Sequence, residues 1–356
     1  MERFIPTRYE PLQKPMRGGM SHVYICKDTL LKRKVAIKFV DDPEDERRLL
    51  DEISALQNVR SKHVVQIYDV FRDESAPCYG IVLEYLDGPE LSVDRVGQDS
   101  LARHISILYQ VASGLSDLHD QGVIHRDIKR DNIREDASGI VKIFDFGLAR
   151  FSGVNSETQG FAGTFGYAAP ELYPADAKKF TTAVDVYAFG ILAWYLTGQD
   201  PPSSLVPVRK GNPPSFSSLA IKLPPPICDL LDRALAVEPS ARPSISQLRG
   251  ALEAYLLQGS HKGLLVTSNS VRTIDASHAS VRLVLSDKPG GNEWVIGIHY
   301  NGFAFVVKEV TADVLVNNRL VSVGETLPKS CVITLGGNGD RRAFATFDVS
   351  NPEVVL

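Results

Sequence analysis

The stretch Val123-Ile124-His125-Arg126-Asp127-Ile128-Lys129-Arg130-Asp131-Asn132-Ile133, followed by Val141-Lys142-Ile143-Phe144-Asp145-Phe146-Gly147, constrains this chain more than any other. It sets Asp127, Asn132 and Asp145 at short loop spacings between apolar runs of β type. Loops of this kind close at strand ends, where two carboxylates and an amide can converge. One carboxylate can take or orient a hydroxyl proton, while the other, with the amide, can hold a divalent metal against phosphates. The plainer reading is two polar turns in an α/β domain.

Composition narrows the choice. A chain of 356 residues is long for one domain and comfortable for a large domain plus a small one. A net charge of −4 supplies neither a basic stripe for nucleic acid nor a polybasic membrane anchor. The start, Met1-Glu2-Arg3-Phe4-Ile5-Pro6, has no apolar run of signal-peptide length, and no stretch is apolar enough to predict a membrane span. Cys26, Cys78, Cys228 and Cys331 are scattered and form no C-x-x-C pair, which argues against a disulfide framework or a zinc site and for a reducing, cytoplasmic setting.

Two motifs taken together carry a resemblance. His125-Arg126-Asp127-Ile128-Lys129-x-x-Asn132 and Asp145-Phe146-Gly147 resemble the catalytic and metal loops of eukaryotic-type (Hanks-type) serine/threonine protein kinases. The resemblance extends over residues 8–257. It implies an α+β bilobal kinase fold with an N-terminal lobe over 8–86 and a C-terminal lobe over 87–257, and it implies ATP and Mg²⁺ as cofactors. Asp127 is then the catalytic acid-base residue, Lys129 steadies the transferring phosphate, and Asn132 and Asp145 hold the metal.

In the first lobe, Met16-Arg17-Gly18-Gly19-Met20-Ser21-His22-Val23 resembles a kinase glycine-rich loop, in the wording frequent among bacterial enzymes, which points to a bacterial or phage origin. Backbone without side chains can approach phosphates and offer them N–H groups. Met16 and Ser21 stand where the family has glycines, so looser phosphate coverage is expected; a plain Gly-Gly turn is the alternative. Lys38 ends the apolar run Val35-Ala36-Ile37, where a lysine is ordinarily a solvated edge residue. The resemblance instead makes it the phosphate-aligning lysine, partnered by a glutamate on the next helix. That helix is predicted from Asp42 as N-cap and Pro43 at its first position, with Leu49, Leu50, Ile53 and Leu56 as its apolar stripe. Glu52 is the candidate partner. Leu83 is expected behind the adenine and Glu84 to Leu86 at the hinge. The implied nucleotide contacts are thus Met16, Gly18, Gly19, Val23, Ala36, Lys38, Leu83, Glu84 and Leu86.

In the second lobe, Leu101, Ile105, Leu108, Ala112, Leu115 and Leu118 repeat at helical steps, and Thr182 to Thr197 is apolar nearly all round, as a central helix would be. Asp185 inside that helix must find hydrogen-bond partners; the resemblance makes it a brace for the catalytic loop. Gly163-Thr164 before Ala169-Pro170-Glu171 has Ser/Thr-kinase spacing, with the Thr164 hydroxyl on the catalytic Asp and Lys. The Gly-, Ser- and Thr-rich segment 148–168 suits an activation loop. Its candidate phosphosites are Thr158, Ser156 and Ser152, with Arg126 and Arg150 as phosphate partners; plain loop hydroxyls are the alternative. Glu171 and Arg242 match a buried structural ion pair. The prolines between Pro201 and Pro226 leave little room for a helix on the substrate side.

From residue 262 to 356 the pattern turns from helical to alternating. Short strands are predicted at 281–285, 294–298, 303–307, 332–335 and 344–347, with hairpin turns at Asn301-Gly302 and Asn317-Asn318. This predicts a small all-β sandwich. Residues 314–336 vaguely resemble the last strands of forkhead-associated (FHA) domains, without the Gly-Arg, Ser-x-x-His or Asn-Gly-Thr set that holds a phosphothreonine. A degenerate FHA-like domain for protein contact or autoregulation is expected. The function expected for the whole is transfer of the ATP γ-phosphoryl group to Ser/Thr hydroxyls of protein substrates, with autophosphorylation. A pseudokinase scaffold and a small-molecule kinase are the alternatives.

Overall fold

A computed structural model describes residues 3–17, 21–40, 53, 57–73, 79–89, 91, 101–146, 150–151, 164, 166–173, 180–199, 214–286, 291–336 and 342–350. The chain divides into two compact units, residues 1–252 and 253–356.

The first unit begins with six strands, β1 (Tyr9–Pro11), β2 (Met16–Arg17), β3 (Ser21–Asp28), β4 (Arg33–Val40), β5 (Ile67–Arg72) and β6 (Tyr79–Glu84). They form one sheet in the order β1-β3-β4-β6-β5, with β2 paired to β3. Alternation sorts β4 into two faces. Val35, Ile37 and Phe39 join Tyr9, Cys26 and Val82 in a buried core, packed by edge contacts of Phe39 with Tyr24 and Phe71. Ala36 and Lys38 take the other face. The helix expected from Asp42 lies outside the described residues, save Ile53 and Gln57, which are helical.

Next comes α1 (Leu101–Asp120), buried along most of its length, then β7 (Val123–Ile124), β8 (Ile133–Glu135), β9 (Val141–Ile143) and β10 (Arg150–Phe151). β8 and β9 form one two-stranded ribbon, β7 and β10 another. α2 (Ala183–Tyr195) is buried from Val184 to Trp194, as its uniformly apolar sequence predicts. α3 (Pro225–Ala234) and α4 (Ile245–Leu257) follow. Pro225 and Pro226 open α3 instead of excluding a helix, because a first turn has no intrahelical N–H bond to lose. The earlier prolines, up to Pro213, lie outside the described residues.

Two buried polar knots tie this unit together. Arg242 donates from Nη1 to Glu171 Oε1 at 2.6 Å and from Nη2 to Oε2 at 2.8 Å. Its remaining donors reach the carbonyls of Ala183, Ala236 and Val237, and its guanidinium lies over Tyr187 at 5.0 Å. The Asp185 carboxylate accepts from the backbone N–H groups of His125 at 2.9 Å and Arg126 at 2.7 Å, and from His119 Nε2 at 2.9 Å. Burial opposes ionisation of Asp185, but the bond and charge of His119, with His125 and the Arg126 N–H, outweigh it and hold the carboxyl below its usual range.

After the last residues of α4, the second unit is built of strands. Its strands are β11 (Gly263–Val266), β12 (Val271–Ile274), β13 (Ser280–Ser286), β14 (Glu293–Tyr300), β15 (Phe305–Val310), β16 (Leu315–Val316), β17 (Arg319–Leu320), β18 (Ser330–Leu335) and β19 (Ala343–Val349). One sheet runs β12-β11-β19-β18-β16-β17 and the other β13-β14-β15. Leu265, Ile333 and Phe347 of the first and Ile296, Ile298 and Phe305 of the second share one core, so the unit is a sandwich. Asn317 and Asn318 turn the β16–β17 hairpin with φ of 48° and 63°, and Gly302 turns β14 into β15 with φ of 95°. β11, β12, β16 and β17 were not among the predicted strands. No described helix is long and apolar enough to cross a membrane. Cys26, Cys228 and Cys331 are buried free thiols.

Two outcomes follow. Arg242→Met leaves the Glu171 carboxylate without its main partner and is expected to cost about 3–5 kcal/mol in urea unfolding. Asp185→Asn is expected to cost about 1.5–3 kcal/mol at pH 7, since at least one charge-assisted bond is lost. Because the folded-state pKa of Asp185 lies below the ordinary 3.8, its contribution is full above that value and fades as pH falls through the depressed one. Unfolding curves at pH 7 and pH 3 should therefore show the gap between wild type and variant narrowing in acid.

Candidate active site

The register of the first sheet assembles one wall of the site. Lys38 pairs with Val23 on one side and Ile81 on the other, and Ala36 pairs with Ile25 and Leu83. Cross-strand partners share a face, so Val23, Ala36, Lys38 and Leu83 lie together, opposite the aromatic core. Lys38 is almost wholly buried, and its Nζ donates to Asp145 Oδ1 at 2.8 Å. Asp145, just past β9, holds a left-handed φ of 64° and leaves 46% of its side chain exposed. Arg126 is left-handed too, at 71°. Non-glycine residues persist there only when their surroundings over-determine them, as the Asp185 bond to the Arg126 N–H does.

The catalytic-loop geometry is closed by hydrogen bonds. Asp127 N–H donates to His125 Nδ1 at 3.2 Å, which leaves the ring proton on Nε2, donated to the Phe144 carbonyl at 3.3 Å. The same ring packs on Phe146 at 4.6 Å. Thr164 donates its hydroxyl to Asp127 Oδ1 at 2.6 Å and accepts from Lys129 Nζ at 2.7 Å. Asp127 Oδ2 meets Lys129 Nζ at 2.8 Å and accepts from Asn132 Nδ2 at 2.9 Å. Asn132 Nδ2 also donates to the Asp127 carbonyl at 2.8 Å. Its nitrogen is thus turned inward, and its carbonyl oxygen is the atom left for a cation. The backbone then ties this loop to the metal loop, with Phe144 N–H donating to Asn132 O at 3.0 Å.

Lys38, Asp127, Lys129, Asn132, Asp145 and Thr164 are therefore linked into two short networks, Lys38 with Asp145 and Asp127 with Lys129, Asn132 and Thr164. Among the described residues no cluster of three or more His, Cys, Asp or Glu forms a complete metal cage. The oxygen donors of Asn132 and Asp145 suit instead a hard cation that keeps several waters and takes further oxygens from a phosphate, which is how Mg²⁺ is commonly bound. Leu83 and Leu86 are buried; Met16 of β2, paired with Val23 of β3, is 49% exposed. Arg126 is buried, with its guanidinium 5.1 Å from the Phe180 ring. Gly18, Gly19, Glu52, Ser152, Ser156 and Thr158 lie outside the described residues.

One residue escaped the sequence reading. Lys142, between Val141 and Ile143, reads as the polar step of an ordinary alternating strand. It is buried, and its Nζ meets Glu84 Oε1 at 3.1 Å. Alternation alone gives no sign that both faces of the β8–β9 ribbon are covered.

Comparison with known proteins finds similar sequences among bacterial kinases. The chain is 37% identical over 199 residues to the "Serine/threonine-protein kinases drp72" of Corynebacterium efficiens, covering 52% of this chain and 38% of that protein. It is 36% identical to PknA of Corynebacterium glutamicum over 191 residues, 50% of this chain and 40% of that one. It is 33% identical to PrkC of Bacillus subtilis over 207 residues, 55% of this chain and 31% of that one. The chain thus matches between 31% and 40% of the length of these curated relatives. Residues 9–251, which hold every residue of the two networks, match the model of the protein kinase domain, and the chain belongs to that family.

Proposed function

We propose that this chain is a serine/threonine protein kinase that transfers the γ-phosphoryl group of Mg-ATP to protein hydroxyls. The observation that carries this reading is the Asp127–Thr164–Lys129 triangle, with contacts of 2.6, 2.7 and 2.8 Å. Asp127 orients the acceptor hydroxyl and takes its proton, held in place by Thr164 and Asn132. Lys129 balances charge on the phosphoryl group in transit. Lys38 aligns the nucleotide phosphates, with Glu52 as its further partner, and Asn132 and Asp145 hold the metal. A Mg²⁺ held by Asn132 and Asp145 would supply positive charge against the nucleotide phosphates. The nucleotide base sits against Val23, Ala36, Leu83 and Leu86 and the hinge backbone at Glu84, under the loop of Met16, Gly18 and Gly19.

In this reading residues 8–257 are the kinase domain, divided at 86/87 into its lobes, and residues 262–356 form a separate β domain. The sandwich of two sheets supports a degenerate FHA-like module that contacts a partner protein. Buried free thiols are in keeping with a cytoplasmic setting, and the bacterial kinases among the relatives support a bacterial origin. The activation segment carries autophosphorylation on Thr158, Ser156 or Ser152, with the phosphate drawn to Arg126 and Arg150. The intact set of Lys38, Asp127, Asn132 and Asp145 favours catalysis over a pseudokinase scaffold. Thr164 placed on Asp127 and Lys129 favours a protein kinase over a small-molecule kinase.

Purified protein incubated with Mg-ATP should gain phosphate by intact mass, mapping to Thr158, Ser156 or Ser152. Asp127→Asn should lose at least about 10²-fold in rate, the usual worth of a positioned acid-base group, while keeping its fold by circular dichroism. An Asp127→Asn protein as active as wild type would sink the assignment.

A further inference from the structure

Lys142 is only 7% exposed, yet its charge has no part in the transfer chemistry outlined above. A buried ammonium needs a specific partner, and here the partner comes from the other lobe. Lys142 Nζ meets Glu84 Oε1 at 3.1 Å, while Glu84 Oε2 accepts the Gln66 N–H at 3.3 Å. The Glu84 N–H returns a bond to the Gln66 carbonyl at 2.9 Å. The Gln66 side-chain amide donates to the carbonyls of Ser61 at 3.0 Å and Val64 at 3.1 Å, fixing the segment 61–66. That segment is stitched onto β9 by Ile143 N–H to His63 O and Val65 N–H to Ile143 O, both at 2.9 Å. His63 Nδ1 bonds the Val141 carbonyl at 2.9 Å, which completes the stitching. The connections close a ring running from β9 through segment 61–66 and Glu84 to Lys142, and so back to β9.

Glu84 is the last residue of β6, and Asp145 lies two residues past the end of β9. We infer that Lys142 is a positioning residue for the nucleotide: through Glu84 it fixes the strand end that meets the base in register with the strand that delivers Asp145. This rests on the nucleotide site assigned under the proposed function. Without the ion pair, the base-binding backbone and the metal-binding carboxylate can still form but are no longer held at a set separation. A nucleotide must then fix that separation itself on binding, so affinity falls while chemistry in the bound complex is largely kept.

The test uses the full chain with a magnesium-loaded, non-hydrolysable ATP analogue, read by calorimetry, and kcat at saturating ATP. Lys142→Met is expected to weaken analogue binding about tenfold with kcat within about threefold, and Lys142→Arg to bind within about twofold of wild type. Amide exchange over residues 84–86 and 141–145 should quicken in Lys142→Met. A folded Lys142→Met with unchanged affinity overturns the inference, as does one whose loss is entirely in kcat. If Lys142→Met does not fold, the exchange of Glu84→Lys with Lys142→Glu decides. Recovery of affinity relative to Glu84→Lys alone supports the ring, and no recovery overturns it. A wild type that binds the analogue but transfers no phosphate counts against the proposed function alone, since the binding comparison still stands.

Discussion

The carboxylate of Asp185 is the constraint on which the site depends. It is wholly buried within α2, so it must be given donors, and it takes them from the N–H groups of His125 and Arg126 and from His119 Nε2. Meeting that need forces Arg126 into left-handed backbone and fixes the direction in which the chain leaves toward Asp127. His125, held at its N–H, turns its ring between the Asp127 N–H and the Phe144 carbonyl and so couples the catalytic loop to the metal loop. One desolvated charge thereby orders two loops that share no regular secondary structure with it. The cost of burying it is met by bonds that also specify geometry.

The contacts of the 125–132 loop were legible because they rest on short, local spacings. Asp127, Lys129 and Asn132 lie within six residues, and their mutual contacts are dictated by a single turn. The long helices were equally legible, since the apolar run of α2 can only be buried. What the sequence hid was burial imposed by partners far along the chain. Lys142 reads as a solvated step in a strand until its ribbon is covered, and its partner Glu84 lies 58 positions earlier. Proline was misleading for a related reason: at Pro225 and Pro226 its missing N–H is harmless, because those positions open α3. In the β unit, Asn317-Asn318 announced its hairpin through the left-handed preference of asparagine. The two-residue strands beside it were too short to show a period.

The two units differ in how they resist change. The first relies on polar knots whose partners are distant in sequence, Glu171 with Arg242 and Asp185 with His119, so its stability is exposed to single substitutions at buried charges. The second is held by a mixed aromatic and aliphatic core in which Phe305 stacks on Tyr300 and meets Phe347 edge-on. Such a core tolerates volume-conserving exchange far better than a knot tolerates loss of one partner. Loss of one partner of a knot should therefore cost the first unit more than a volume-conserving core exchange costs the second.

The position of Thr164 carries a consequence of its own. Its hydroxyl gives a proton to Asp127 and receives one from Lys129. Those are the two side chains an acceptor alcohol would address. In the proposed reading, an incoming hydroxyl therefore meets an Asp127 carboxylate that Thr164 already occupies on one oxygen and that Lys129 and Asn132 occupy on the other.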